Sequence, residues 1–177
     1  MIIYPAVDIQ GGQCVRLKQG KAEESTVYYQ DPYEAAAHWV SEGAEWLHVV
    51  DLDGAFSGKS RNDGVIKRIV SLGVPVQVGG GIRDMDRIRI LMDMGVKRVI
   101  LGTAAVENPD LVREAVNAYG KAISVGIDAK DGMVATRGWQ EVSAIEAVTL
   151  AARMKEIGVT TVIYTDIARD GMLTGPN

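Results

Sequence analysis

The chain is short of the residues that several kinds of protein require. One cysteine, Cys14, stands among 177 residues, so no internal disulfide framework can form and a reducing compartment is expected. Cys14 is either a reactive thiol or, as with most lone cysteines, an incidental small residue. Only two histidines occur, His38 and His48, with no Cys/His cluster beside them. That scarcity argues against a zinc or other transition-metal site. Positive charge is not in excess either: a net charge of −4 argues against a nucleic-acid binder. An anionic ligand would have to be drawn by local potential rather than by the whole molecule. No apolar run approaches the ~20 residues that span a bilayer, and Met1–Pro5 carries no basic leader. A cytoplasmic protein without membrane association is therefore expected. The Walker Gly-Lys-Ser/Thr, the dinucleotide Gly-x-Gly-x-x-Gly and the Gly-x-Ser-x-Gly elbow are all missing, which disfavours nucleotide cofactors and serine-hydrolase chemistry.

What is present is ordinary for a globular chain, 47% hydrophobic and 24% charged, with no linker or low-complexity stretch, so one domain over 1–177 is expected. Short β-branched runs alternate with amphipathic, charge-rich segments. The strand candidates are Ile2–Asp8, Trp46–Val50, Pro75–Val78, Arg98–Leu101, Ala122–Asp128 and Thr161–Thr165. The helix candidates lie near Pro32–Ser41, Gly64–Ser71, Met85–Met94, Pro109–Ala118 and Ile145–Ile157. Such alternation argues for βαβ units around a parallel sheet. Several helices stop at a glycine (Gly43, Gly73, Gly95, Gly120, Gly158), the residue suited to a left-handed cap.

The spacing also repeats. Gly43 to Asp51, Gly120 to Asp128 and Gly158 to Asp166 are each eight residues, which an internal repeat explains better than chance. Asp8 and Asp128 close similar runs, Pro5-Ala6-Val7-Asp8-Ile9 and Val125-Gly126-Ile127-Asp128-Ala129, and each is followed by a Gly-containing loop. Two carboxylates at one point of two similar units are suited to sharing acid and base work on one substrate, their pKa values driven apart by a partly dry site. Asp51 and Asp166 fit capping or turn roles, and Asp170 is a further strand-end carboxylate. Long gaps follow Asp8 (residues 9–31) and Asp128 (residues 129–143). They read as loops on the ligand side of the sheet, either lids or tolerated insertions.

Gly79-Gly80-Gly81 and Leu101-Gly102-Thr103-Ala104 each follow a strand and precede a helix. Backbone N–H groups and the helix dipole there suit an anion, so the two together are read as a phosphate cradle. Arg83, Arg16 and Lys18 could add donors, although each alone could equally be a solvated surface charge. Trp139, in a polar turn, either packs on the domain or stacks on a ligand ring. His48 reads as a core-facing, hydrogen-bonded histidine or as a substrate contact, and His38 as a surface residue.

Taken together, Pro5-Ala6-Val7-Asp8, His48-Val49-Val50-Asp51-Leu52-Asp53-Gly54-Ala55, Gly79-Gly80-Gly81-Ile82-Arg83 and Thr165-Asp166-Ile167-Ala168-Arg169-Asp170-Gly171 closely resemble one family. It is the phosphoribosylformimino-aminoimidazole carboxamide ribotide isomerases, the Amadori isomerases of histidine biosynthesis. The resemblance implies an α/β fold, a (βα)8 TIM barrel with twofold internal symmetry, with repeat halves at about 1–119 and 120–177. It also implies a bisphosphorylated small-molecule substrate and conversion of an aminoaldose to an aminoketose without a cofactor. By the family's pattern Asp8 is the base, and Asp128 or Asp170 the acid. Substrate contacts would come from Arg16, His48, Arg83, Trp139 and Thr165, and one phosphate site from Gly80, Gly81, Gly102 and Thr103.

Gly79-Gly80-Gly81 stands where relatives that also serve tryptophan synthesis tend to have Ser-Gly-Gly, which favours a single substrate. The cyclase of the same pathway, the nearest rival, typically has Cys-Leu-Asp in its first strand and lysine in its first loop. A phosphate-binding fragment without catalysis is the rival from another class. The family continues through two more βα units after Thr174-Gly175-Pro176-Asn177, so only about six are expected here. A truncated chain, or a fragment completed by another chain, is the expectation, and activity on its own is at risk. The full-length form is expected to be monomeric, while open sheet edges could make the fragment self-associate.

Overall fold

The computed structural model describes residues 1–18, 21–139, 141–170 and 172. Gly171 and 174–177, quoted above, lie outside the described residues, as does the side chain of Lys18. Six parallel strands form the body of the sheet: β1 (Ala6–Gln10), β4 (Leu47–Asp51), β5 (Val76–Gly79), β6 (Arg98–Leu101), β7 (Ile123–Lys130) and β10 (Val162–Asp166), each paired with the next in that order. Each lies within a few residues of the run expected from sequence. The first differs most, because Ile2 and Ile3 precede the ladder and are exposed.

The period-two pattern of a strand decides the two faces of the sheet. Val7 and Ile9, Leu47 and Val49, Val76 and Val78, Val99 and Leu101, and Ile123, Val125 and Ile127 point one way and are buried almost completely. They form one core with the apolar stripes of α1 (Pro32–Ser41), α3 (Asp63–Val70), α4 (Met85–Asp93), α6 (Pro109–Tyr119) and α7 (Ala147–Ile157). Ala36, Ile66, Ile69, Leu91 and Leu150 are the helix partners. The opposite face carries polar and small residues such as Asp8, His48, Gln77, Gly126 and Asp128, and it opens onto a cavity. The result is an α/β fold of the (βα)8 barrel family with a mostly parallel sheet.

Helix ends follow their sequence signals. Asp31 accepts from the Tyr33 N–H (3.0 Å) before Pro32, and Asp84 accepts from the Arg87 N–H (2.7 Å). The five stop glycines all have positive φ. No helix among the described residues is long and apolar enough to cross a membrane.

The segments read as long loops after Asp8 and Asp128 are instead hairpins. In the first, β2 (Gln13–Lys18) pairs antiparallel with β1 and with β3 (Lys21–Tyr29). In the second, β8 (Met133–Thr136) pairs with β7 and with β9 (Glu141–Glu146). The turns Gly11-Gly12 and Asp131-Gly132 close them with positive φ at all four residues, the geometry that two-residue hairpins favour. Registers agree: Asp8 faces Val15 and Asp128 faces Ala135, Gln10 faces Gln13 and Lys130 faces Met133. Two short helices also escaped the sequence reading, α2 (Leu52–Ser57) and α5 (Thr103–Glu107). Each is under two turns long, too short to show a helical period.

The triple glycine has a packing role beyond ligand approach. Gly80 and Gly81 have φ of +105° and +68° and lie against the backbone of Asp51 and Gly54. A Cβ on Gly80 would run into the Asp51 carbonyl oxygen, and one on Gly81 into that of Gly54. Neither backbone can yield without moving the β4–α2 turn. The variant Gly81→Ala is expected to lose at least about 2 kcal/mol of unfolding free energy, measured by urea titration.

Candidate active site

A cavity of 390 Å³ opens at the C-terminal ends of the parallel strands, where folds of this class place their ligands. Asp8 (β1), His48 (β4), Gly80 and Gly81 (after β5), Arg83, Gly102 and Thr103 (after β6), Asp128 (β7), Trp139 (after β8), Thr165 (β10) and Asp170 all line it. Arg16 on β2 is exposed and outside the lining, but its charge acts on both Asp8 and Asp170.

The three carboxyl groups share one electrostatic field. Burial pushes Asp8 up to about 6, the charge of Asp170 adds to the rise, and Arg16 opposes it. Asp170, on the rim, is raised by desolvation and by the charge of Asp128, again opposed by Arg16. Burial also raises Asp128, but the Trp139 indole N–H donates to its Oδ2 (2.8 Å) and the Thr165 hydroxyl hydrogen-bonds to it, both favouring the ionised form. Thr165 is the register partner of Asp128 on β10.

Trp139 thus has a polar anchor as well as a place on the wall. It sits in a left-handed conformation (φ +69°) within a turn held by Arg137. The Arg137 N–H donates to Thr103 Oγ1 (3.0 Å), and its guanidinium pairs with Glu107 and Glu141 (3.0 Å each). The Thr103 hydroxyl is therefore already an acceptor for the hairpin. Sequence reasoning passed over Arg137, whose only signal was its place beside Gly138 and Trp139. It also passed over Phe56, which lines the cavity and lies against Gly138.

On the other side, the Gly11 N–H donates to Asp53 Oδ2 (2.9 Å), and Asn62 Nδ2 donates to Asp53 Oδ2 (2.9 Å) and to Asp51 Oδ1 (2.7 Å). Asp51 caps α2 by accepting from the Gly54 N–H (3.0 Å), and Asp166 accepts from the Ala168 N–H (3.0 Å). Both are the structural aspartates the sequence suggests. His48 is hydrogen-bonded to Gln77 and also faces the cavity. His38 is exposed. Cys14 is buried, and burial together with the Asp8 charge pushes its thiol up to about 11, so it stays protonated and inert near neutral pH.

Because the Asp8 pKa in the folded chain lies above its ordinary 3.8, its contribution favours the fold below about pH 4 and is lost as pH rises through about 6. Relative to wild type, Asp8→Asn is expected to gain stability between pH 4 and 7, by up to about 3 kcal/mol, in chemical denaturation across that range.

The chain matches the family model described as histidine biosynthesis protein over residues 2–177. It is 54% identical over 176 residues to a protein of Granulibacter bethesdensis, covering 99% of this chain and 73% of that one. It is 55% identical to a relative from Alkaliphilus metalliredigens and 53% identical to one from Thermoanaerobacter pseudethanolicus, in each case over 178 residues, covering all of this chain and 75% of the relative. All three relatives bear the name 1-(5-phosphoribosyl)-5-((5-phosphoribosylamino)methylideneamino)imidazole-4-carboxamide isomerase. The chain belongs to the histidine biosynthesis protein family.

Proposed function

We propose that the chain is an aldose–ketose isomerase that converts the aminoaldose named in its relatives to the aminoketose, the Amadori step of L-histidine biosynthesis. The observation that carries this reading is the convergence of three raised-pKa carboxyl groups on one cavity, in a chain sharing 54% of its residues with such an isomerase.

The chemistry needs an acid and a base and no redox change. The acid protonates the ribose ring oxygen, the C1–O bond breaks, and the amine nitrogen's lone pair forms the C1=N Schiff base. The base then removes the C2 proton, giving an enolamine that becomes the ketone when C1 gains a proton and the hydroxyl on C2 loses one. Asp8, held near 6, suits the base, since it is ionised at neutral pH yet basic enough to accept a proton. Asp128 and Asp170 are both candidates for the acid, since desolvation raises both, opposed at Asp128 by the Trp139 and Thr165 hydrogen bonds and at Asp170 by Arg16. Asp128 also orients Trp139, whose ring forms a stacking wall for the substrate's imidazole.

For one phosphate we propose the edge formed by Gly80, Gly81, Gly102 and Thr103, with Arg83 on the rim and Arg16 reaching from β2. Residues 1–119 and 120–177 are, in this reading, repeat halves, a view supported by the matching hairpin registers. We place the reaction in the cytoplasm and the full-length protein as a monomer. Among the described residues no strand pairs with the outer side of β10, which offers a second copy a pairing surface.

Turnover of the aminoaldose, followed by chromatographic separation of aldose and ketose, tests the reading. Asp8→Asn is expected to lower kcat by at least about a hundredfold. The acid limb of kcat/KM should lie near pH 6 and move to higher pH in Arg16→Met, which removes the cation that holds Asp8 down. Absent turnover, or an Asp8→Asn variant as active as wild type, refutes it.

A further inference from the structure

Below the carboxyl groups, the inner face of the sheet carries a polar row that the isomerase scheme leaves unused. His48, Gln77 and Arg98 are register partners on β4, β5 and β6. Gln77 Nε2 lies 2.7 Å from His48 Nδ1, and Arg98 Nη1 lies 3.0 Å from Gln77 Oε1. The Arg98 guanidinium in turn sits over the Trp46 ring, 4.9 Å from its centroid, and Trp46 packs on Tyr4. Gln77 is buried, and only His48 of the three meets the cavity.

Donor and acceptor inventories fix the protons along this row. A guanidinium has donors only, so Gln77 must turn its amide oxygen towards Arg98. Its NH2 group then faces His48 and can only donate, which requires a bare lone pair on Nδ1. An imidazolium carries N–H on both nitrogens and would set a donor against a donor. Burial, which lowers the His48 pKa, pulls in the same direction. The ring is neutral, and its one proton lies on Nε2.

We propose that Gln77 and Arg98 are positioning residues that hold His48 in the Nε2–H form, so that it presents a neutral hydrogen-bond donor to a sugar oxygen of the bound substrate. The identity of the substrate rests on the isomerase reading, whereas the tautomer does not. Neutrality matters because an imidazolium in the same cavity would favour ionised Asp8 and weaken it as a base. A fixed N–H can stabilise charge building on oxygen without that cost.

Long-range proton–nitrogen spectra of histidine-labelled protein report which ring nitrogen is protonated, and His38→Gln assigns the signals. Wild type is expected to show protonated Nε2 and bare Nδ1 at neutral pH. Gln77→Glu replaces the donor by an acceptor of the same shape. It should move a proton onto Nδ1 and lower kcat at least about tenfold with little change in KM. Arg98→Met frees the amide to turn over and should give mixed tautomers in a chain whose circular dichroism is unchanged. This second variant decides the matter if Gln77→Glu does not fold. Protonated Nδ1 in wild type overturns the proposal. So does a Gln77→Glu variant whose ring switches while kcat stays the same. If the wild-type tautomer is as expected but no aminoaldose is turned over, the positioning of His48 stands and the isomerase reading falls.

Discussion

A single buried carboxyl group, that of Asp51, joins the parts that shape the mouth of the sheet. It is fully buried at the end of β4 and starts α2 through the Gly54 N–H. It also accepts from Asn62, which passes the connection to Asp53 and so to the Gly11 turn of the first hairpin. Its own backbone is what Gly80 presses against, while Gly81 presses against Gly54 in the helix that Asp51 caps. Among the described residues Asp51 Oδ2 has no hydrogen-bond partner, and Arg87, paired with Asp63 at 2.7 Å, approaches it only to 4.0 Å. Buried polar groups are costly unless they are well partnered. Here that cost sits where three strand ends and a hairpin turn must keep a fixed spacing, so the residues facing the cavity are aimed from behind.

Against this rigid support the site's electrostatics are graded. Asp8 and Asp128 hold matching places in matching hairpins, yet their surroundings differ. Asp8 has Arg16 as a counter-charge, whereas Asp128 receives an indole and a hydroxyl. Asp170 raises Asp8 and is itself raised by Asp128. Similar backbones therefore present carboxyl groups with different proton affinities, which is what a reaction needing both an acid and a base requires.

Much of this was legible in the sequence, and the failures have physical reasons. Parallel strands such as Arg98–Leu101 are flanked by helices and read as short apolar runs, and helices such as Pro32–Ser41 carry a cap and a leading proline, so both showed clearly. The hairpins did not. Thr26–Gln30 is largely exposed on both faces and Met133–Thr136 is largely buried on both, so neither alternates and both look like loops. Motifs brought Asp8, Gly80, Asp128 and Trp139 to notice, and the cavity collects them. Gln77 and Arg98 stayed silent because a polar residue in a short strand gives no sign of which partner it meets across the sheet. The glycines at positions 80 and 81 were noticed for a ligand, while their tightest demand is the approach of a neighbouring backbone.

Among the described residues, β10 has a ladder neighbour on one side only, β7, and Val162 and Tyr164 on it are exposed. The other central strands are clasped from both sides. Opening of the sheet should begin there, because fewer bonds must break to release that strand. Amide hydrogens of β10 then exchange with solvent through an opening far cheaper than global unfolding. Each such opening would carry Thr165 away from Asp128 and Asp170 away from Asp8. The site would dissolve on its β10 side while the core beneath α3 and α4 stayed intact, so catalytic competence and foldedness are separate properties of this chain.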